Sequence, residues 1–198
     1  MLRIIFGGTF DPIHNGHVTT SLAAFAELNG DVMHVMPSAQ PPHRDYPGAS
    51  AEQRLTMVEL AYAGNPQIVA EDWELKRDGP SYSLLTLREM HERWPQDKLI
   101  FLLGNDAFAK LDSWYGWQEL LNYADLAVMQ RLAQDTPWTT AVEELVRTHS
   151  NKIHLLDPPN IAVSATELRA AIASNTAWRE QVPARVARFI EQQHLYGR

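Results

Sequence analysis

The stretch LRIIFGGTFDPIHNGH, residues 2–17, decides how this chain folds. Its first part, LRIIF at 2–6, is a continuous apolar run of the kind that forms a buried strand. Two glycines and a polar loop follow, and a helical pattern begins near Asn15 and runs from Gly16 to Leu28. A strand, a glycine-bearing loop and a helix in this order form the first unit of an α/β sheet.

The same alternation of short apolar runs and helical patterns continues along the chain. The further predicted strands are 31–36, 67–71, 98–104, 125–131 and 152–157. The run KLIFLLG at 98–104 is continuous and apolar, as expected for the centre of a parallel sheet. The pattern predicts an α/β doubly wound parallel sheet, in which ligands bind at the carboxyl ends of the strands.

Capping side chains mark where several of the predicted helices begin. The residues predicted at helix starts are Ser50, Ser81, Pro137, Ser164 and Pro183. Ser50 and Ser164 each have a Gln or Glu three residues later, which is the signature of a capping box. The last two helices follow the sixth strand directly. We therefore expect a single domain over residues 1–198, with a helical C-terminal part from about 164.

The composition excludes several classes of function. The 198 residues include no cysteine, which rules out disulfides, zinc–thiolate sites and thiol nucleophiles. The formal net charge of −7 argues against non-specific binding to nucleic acid, because that binding depends on Lys and Arg. The first apolar run is too short for a signal peptide or a membrane span. We expect a cytoplasmic protein with no nucleic-acid or membrane partner, and its oligomeric state stays open.

The glycine-bearing loop has the residues of a phosphate site. Gly7 and Gly8 stand at the carboxyl end of the first strand, where the lack of Cβ atoms lets a phosphate or ribose approach the backbone. His14 and His17 are three residues apart and share one side of the first helical turn. Helix N-terminal amides attract anions, and protonated imidazoles can hydrogen-bond a polyphosphate. Neither a P-loop nor a dinucleotide fingerprint fits, since the loop lacks the Walker lysine and the GxGxxG pattern.

The motif HNGH, which ends at His17, matches the HxGH signature of the nucleotidyltransferase superfamily, to which class I aminoacyl-tRNA synthetases also belong. In length and in GGTFDPIHNGH the chain most resembles the nicotinate mononucleotide adenylyltransferases. The resemblance implies a Rossmann-like fold, with His14 and His17 as catalytic residues on the triphosphate of ATP. It also implies ATP contacts from Gly7, Gly8, Thr9 and Phe10.

Three further stretches resemble the part of this family that binds the acceptor. PPHR ends at Arg44, which would offer its guanidinium to phosphates. In GPSYSLLTL the backbone amides of Tyr82 and Ser83 would receive the nicotinate carboxylate, and Ser83 keeps the hydroxyl of the family's more common Thr. In SWYGW the indole of Trp114 would stack on the pyridine ring. These residues are the implied substrate-binding set.

Two more stretches resemble the part of the family that binds ATP. In FLLGNDAF, Gly104 would lie under the nucleotide and Asp106 would accept a ribose hydroxyl. In VSATELR, Ser164 and Thr166 would present hydroxyls and helix amides to the triphosphate, with the cation of Arg169 nearby. The resemblance therefore extends from the first strand to the C-terminal helices.

The resemblance implies transfer of the adenylyl group of ATP to nicotinate mononucleotide, which gives nicotinate adenine dinucleotide and pyrophosphate in NAD biosynthesis. A phosphate oxygen of the acceptor would attack the α-phosphorus in line, with no covalent enzyme intermediate and no general base. Mg²⁺ would be carried mainly by the ATP phosphates, so no metal ligand of the protein is predicted. Whether Asp11 and Arg131 take part, and whether the loop 37–49 moves, stays open.

Three alternatives to this reaction are left open. The nearest is another acceptor of the same superfamily, nicotinamide mononucleotide or phosphopantetheine. A class I aminoacyl-tRNA synthetase is disfavoured, because the chain is short and acidic and lacks KMSKS. A non-catalytic nucleotide sensor would be marked by loss of the HxGH histidines or of the VSATELR pattern, and both are intact.

Overall fold

Strands and helices alternate through the residues that the computed structural model describes, namely 1–39, 48–77, 79–130, 136–159 and 161–197. In chain order the elements are β1 Leu2–Gly8, α1 Asn15–Glu27, β2 Val32–Pro37, α2 Ala51–Ala61, β3 Ile68–Ala70, α3 Ser83–Arg93, β4 Lys98–Gly104, α4 Asn105–Phe108, β5 Asp125–Met129, α5 Thr140–Thr148, β6 Ile153–Leu156, α6 Ala165–Ala173 and α7 Ala184–Gln192. Short 3₁₀ helices lie at Glu74–Lys76, Leu111–Ser113, Trp117–Asn122 and Arg179–Gln181. No helix of the described ranges is long and apolar enough to cross a membrane.

The six strands of the described chain form one parallel sheet in the order β3-β2-β1-β4-β5-β6. β1 pairs with β2 on one side, where Gly7 lies opposite Met36, and with β4 on the other, where Phe6 lies opposite Leu102. The direction of winding reverses between β1 and β4, which leaves a crevice at their carboxyl ends. The predicted doubly wound parallel sheet is confirmed.

Most predicted strand and helix bounds lie within two residues of the observed ones. The predicted strand 125–131 is shorter than expected and ends at Met129. Ser50 caps α2 through both hydrogen bonds of the capping box. The Ser164 hydroxyl accepts from the backbone N–H of Glu167 at 3.5 Å, which is the first half of the second predicted box.

Two predicted helix starts are wrong. Ser81 does not cap α3, because its hydroxyl accepts from the backbone N–H of Ala39 at 3.0 Å and Tyr82 occupies the N-cap position. Pro137 does not lie in the first turn of α5, which is capped by the Thr139 hydroxyl. In the first case a contact with the loop after β2 replaces the local cap, and sequence pattern alone does not reveal such a contact.

Two apolar clusters cover the two faces of the sheet. Ile4 and Phe6 of β1 belong to one cluster and Ile5 to the other, because successive strand side chains point to opposite faces. The first cluster also contains buried side chains of the C-terminal helices, namely Leu168, Ile172, Val186, Ala187 and Ile190. The C-terminal helical part therefore shares a core with β1. A single domain over the whole chain stays a prediction, and this shared core supports it.

The backbone at Gly116 packs closely against a side chain of α3. Gly116 has a φ of +63°, and a Cβ there would lie 2.2 Å from the Cδ2 atom of buried Leu84. We expect Gly116→Ala to lower the free energy of unfolding, measured in urea, by about 2 kcal/mol, from left-handed strain and overpacking.

The double variant with Leu84→Ala separates these two causes. Removing the Leu84 side chain removes the clash, so Gly116→Ala should cost about 1 kcal/mol less in that background. Equal costs in both backgrounds would show that the contact with Leu84 plays no part.

Candidate active site

A cavity of about 280 Å³ lies at the carboxyl ends of β1, β2 and β4, next to the switch point of the sheet. Seven of the predicted site residues line it: Gly7, Gly8, Thr9, Tyr82, Ser83, Gly104 and Trp114. Apolar side chains of the strands, among them Ile5 and Phe101, complete the wall. The fold thus brings together residues that lie about a hundred positions apart in the sequence.

Aromatic rings form part of the cavity wall. Trp114 packs against Phe101 at a centroid distance of 6.3 Å, close to edge-to-face. The ring of Tyr82 lies 4.7 Å from that of Tyr115, which is 60% exposed. A half-open cavity with aromatic rings on its wall suits a ligand that carries a flat ring.

The N-terminus of α3 opens into the same cavity. Tyr82 is the N-cap residue, and no side chain caps this helix. The N–H of Ser83 belongs to the first turn, whose amides have no acceptor within the helix. The N–H of Tyr82 instead donates to the carbonyl of Pro80 at 3.1 Å. Of the two predicted amide donors, the fold therefore presents that of Ser83 more directly.

His14 and His17 lie together at the N-terminus of α1. Their rings are stacked, with 3.7 Å between centroids. His14 is the N-cap residue, and its Nδ1 accepts from the backbone N–H of His17 at 3.3 Å. A ring nitrogen that accepts carries no proton, so this bond leaves Nε2–H as the donor of His14. A doubly protonated His14, as the sequence suggested for phosphate binding, would have to give up this cap.

The ring of Phe10 packs against the ring of His17. Its ring is 2% exposed and contacts the ring of His17 edge-to-face at 5.2 Å and that of Phe6 at 5.3 Å. Because the ring lies in the core, a contact between Phe10 and ATP would have to come from the backbone. The predicted ATP contact of Phe10 stays a prediction in that form.

Asp11 anchors the loop between β1 and α1. Its carboxylate accepts from the backbone N–H groups of Gly48 at 2.9 Å and Ala49 at 3.1 Å, and from the hydroxyl of Tyr196 at 2.8 Å. Arg169 donates to the backbone carbonyl of Asp11 at 2.7 Å. Burial and the neighbouring carboxylate raise the pKa of the Tyr196 hydroxyl, which keeps it a donor. The carboxylate of Asp11 therefore ties this loop to Gly48 and Ala49 before α2 and to Tyr196 after α7.

The segment before α6 packs on the HxGH turn. A Cβ on Gly16 would lie 3.0 Å from the ring of His14 and 3.4 Å from the carbonyl oxygen of Ile161. Three residues later Ser164 caps α6, whose Thr166 hydroxyl lies 3.4 Å from a guanidinium nitrogen of Arg169. The residues predicted to bind the triphosphate come from the two ends of the chain. They lie on segments that neighbour each other in the fold.

Residues 5–171 match the family model described as cytidylyltransferase-like. A protein of Idiomarina loihiensis named "Probable nicotinate-nucleotide adenylyltransferase" is 39% identical over 99% of this chain and 100% of its own length. Proteins of the same name from Aeromonas salmonicida and Pseudomonas fluorescens are 42% and 41% identical, each over 97% of this chain and 95% of their own. The chain belongs to the nicotinate-nucleotide adenylyltransferase family. The resemblance seen in the sequence is confirmed.

Solved structures give the same fold. A Plasmodium falciparum nicotinic acid mononucleotide adenylyltransferase complexed with NaAD superposes with a TM-score of 0.79 at 18% identity, over 98% of this chain and 97% of that chain. The same enzyme complexed with APC gives a TM-score of 0.76 at 17% identity, over 98% and 96% of the two chains. At these identities the likeness concerns the fold alone.

In this member of the nicotinate-nucleotide adenylyltransferase family, the other predicted site residues do not line the cavity or lie outside the described residues. Asp106, two residues after Gly104, is exposed in α4. Its carboxylate accepts a hydrogen bond from the Thr136 hydroxyl at 3.0 Å. Its ribose contact stays a prediction. Arg44 and Arg131 lie outside the described residues, as does most of the loop 37–49.

Sequence reasoning missed three polar residues of this family member's site. Arg54, which is 1% exposed, donates to the carbonyl of Thr9 at 2.8 Å and so holds the glycine-bearing loop. The buried hydroxyl of Ser38 lies at the cavity wall without a hydrogen-bond partner among the described residues. Glu74 also lines the cavity, and burial raises the pKa of its carboxyl. Of these only Ser38 had a sequence signal, its position directly after a strand.

The described residues contain no group of three or more His, Asp or Glu side chains that could hold a metal ion. The nearest carboxylate to the histidine pair in sequence is that of Asp11, which already accepts three hydrogen bonds from the protein. A hard cation such as Mg²⁺ prefers phosphate oxygens and water and needs few protein ligands. The side chains around this site therefore fit a cation that enters bound to a polyphosphate.

Proposed function

We propose that the protein transfers the adenylyl group of ATP to nicotinate mononucleotide and releases pyrophosphate, forming nicotinate adenine dinucleotide in NAD biosynthesis. One observation carries the assignment: an aromatic cavity, an uncapped helix N-terminus and the HxGH turn meet around the glycine-bearing loop at the switch point. The names of relatives that are 39–42% identical to this chain support it. We place the reaction in the cytoplasm, since the cysteine-free chain makes no use of disulfides.

The acceptor is proposed to bind in the aromatic cavity. Its pyridine ring would stack on Trp114, and its carboxylate would take the N–H of Ser83 at the start of α3. The partial positive charge of a helix N-terminus favours a carboxylate over an uncharged amide at this point. The N–H of Tyr82 would join as second donor once it leaves the carbonyl of Pro80. This favours the acid over nicotinamide mononucleotide.

ATP is proposed to bind along the glycine-bearing loop with its triphosphate at the HxGH turn. The Nε2–H of His14 and the ring of His17 would donate to phosphate oxygens, with His17 closest to the α-phosphate. Ser164, Thr166 and Arg169 would contact the β- and γ-phosphates from α6. Mg²⁺ would arrive on these phosphates as part of the substrate and reduce their charge.

The residues of the protein would speed the reaction by positioning the two substrates and by stabilising the charge that develops. The phosphate of the acceptor is already ionised at neutral pH, so its attack on the α-phosphorus needs no base. Rigid placement of the two substrates lowers the entropic part of the barrier. Donors from His14 and His17 would stabilise the charge that grows on the phosphorus oxygens as pyrophosphate leaves.

The test is pyrophosphate release with ATP and Mg²⁺ in the presence of nicotinate mononucleotide, its amide or phosphopantetheine. We expect the acid to give the highest kcat/KM. Faster release with another acceptor would keep the reaction type and overturn the acceptor. Binding of ATP without release for any acceptor would overturn the enzyme assignment in favour of a nucleotide sensor.

Replacing Trp114 tests the placement of the acceptor ring. We expect Trp114→Ala to raise the KM for nicotinate mononucleotide about 5-fold, because an aromatic stacking contact contributes about 1 kcal/mol. The KM for ATP should stay within about 2-fold, and Trp114→Phe, which keeps an aromatic face, should recover most of the loss. A larger change in the KM for ATP than for the acceptor would place the indole on the adenosine side.

A further inference from the structure

We propose that Glu74 is a positioning residue that fixes the start of α3 for the acceptor's carboxylate. The inference rests on the proposed function, because it assigns a task to the helix start that receives this group. Glu74 lies in a short 3₁₀ helix after β3 and lines the same cavity as Tyr82 and Ser83. None of the motifs of the sequence includes it.

The carboxylate of Glu74 is hydrogen-bonded to α3 close to the first residues of that helix. It accepts a hydrogen bond from the hydroxyl of Thr86, in the first turns of α3, at 2.8 Å. The side chain of Ser81, just before the helix, lies near enough to this carboxyl to lower its pKa. Tyr82 and Ser83, which come four and three residues before Thr86, line the cavity. One carboxylate therefore fixes the helical turn that follows the proposed amide donors.

The surrounding donors fix the direction of these hydrogen bonds. The Thr86 hydroxyl accepts from a guanidinium nitrogen of Arg77 at 3.2 Å, and the Ser81 hydroxyl accepts from the backbone N–H of Ala39 at 3.0 Å. The Thr86 hydroxyl has one proton, which is left to donate to Glu74. The position thus requires a hydrogen-bond acceptor for the Thr86 hydroxyl, and a carboxylate oxygen is such an acceptor.

A carboxylate at this position has an electrostatic cost. Burial raises the pKa of Glu74, and the cavity that it lines is proposed to take an anion. If its charge were the important property, removing that charge would strengthen binding of the acid. If the hydrogen bond that it accepts from Thr86 is the important property, replacing an acceptor oxygen would weaken binding. The two roles therefore predict opposite changes for the same variant.

The first measurement is a separation of kinetic constants in Glu74→Gln, in which one oxygen becomes an amino group. We expect the KM for nicotinate mononucleotide to rise about 10-fold, the size of one lost hydrogen bond to a charged group, with the KM for ATP within about 2-fold. Thr86→Val, which keeps the shape and removes one donor, should change the constants in the same direction. Glu71→Gln is the matched control, since that carboxylate pairs with His34 and does not line the cavity.

The second measurement is hydrogen exchange of the backbone at residues 81–86 without substrates. We expect faster exchange in Glu74→Gln and Thr86→Val, and no change in Glu71→Gln. Unchanged exchange, or a lower KM for the acid in Glu74→Gln, would overturn the proposal. Failure of the wild-type protein to use nicotinate mononucleotide would overturn the proposed function instead, and the exchange experiment would still decide whether Glu74 fixes the helix start.

Discussion

His17→Ala is expected to lower the kcat of pyrophosphate release by about 10²–10³-fold, the usual loss when one preorganised transition-state donor is removed. The fold should survive, because the hydrogen bond that caps α1 joins the backbone N–H of residue 17 to the ring of His14. Alanine keeps that N–H. What disappears is the ring itself, which stacks on His14 and rests on Phe10. Steady-state kinetics and thermal unfolding would be measured together.

His149→Ala provides the comparison for this variant. His149 is exposed at the end of α5 and does not line the cavity, so its loss should leave kcat within about 2-fold. A loss of kcat below about 5-fold for His17→Ala would show that this ring does not stabilise the transition state. A higher KM for ATP at unchanged kcat would make His17 a ground-state contact.

Asp11→Ala is expected to have the largest effect on stability, a loss of about 3 kcal/mol in the free energy of unfolding. The change leaves the N–H groups of Gly48 and Ala49 and the hydroxyl of Tyr196 without their acceptor. Because Asp11 belongs to the loop that carries the histidines, we expect weaker binding of ATP as well. Urea unfolding and titration with an ATP analogue measure the two effects.

Two further variants, both with smaller expected losses of stability, serve as comparisons for Asp11→Ala. Tyr196→Phe removes one of the three donors and should cost about 1 kcal/mol. Asp72→Ala removes a 42% exposed carboxylate paired with Lys76 four residues later, and should cost less than about 0.5 kcal/mol. A cost for Asp11→Ala no larger than that for Asp72→Ala would contradict the role of Asp11 as an anchor.

The parts of this molecule that local pattern controls were predictable from the sequence. Apolar runs predicted the strands, since a strand buried on both faces of a parallel sheet has to be continuously apolar. The spacing of His14 and His17 predicted their meeting, because residues three apart on a helix are neighbours. The capping box at Ser50 is local in the same sense.

The parts that distant contacts control were not predictable. Ser81 has the residue type of a helix cap, but its hydroxyl is used by the backbone of Ala39, 42 residues away. Arg54 and Glu74 are charged, and charged side chains are rarely buried unless partners compensate them. Those partners, the carbonyl of Thr9 and the hydroxyl of Thr86, come from other elements of the fold. Sequence patterns predicted residues of the candidate site but could not reveal these supporting contacts.

The bond between Asp11 and Tyr196 has a consequence for how the protein is made. The two residues are 185 positions apart, so a ribosome adds almost the whole domain after Asp11 before its last partner exists. A nascent chain that ends before Tyr196 can form β1 and the following helix, yet its Asp11 carboxylate lacks one of three donors. Competence to hold ATP should therefore arise late in synthesis, and ligand-dependent protection from proteolysis would distinguish finished molecules from interrupted ones.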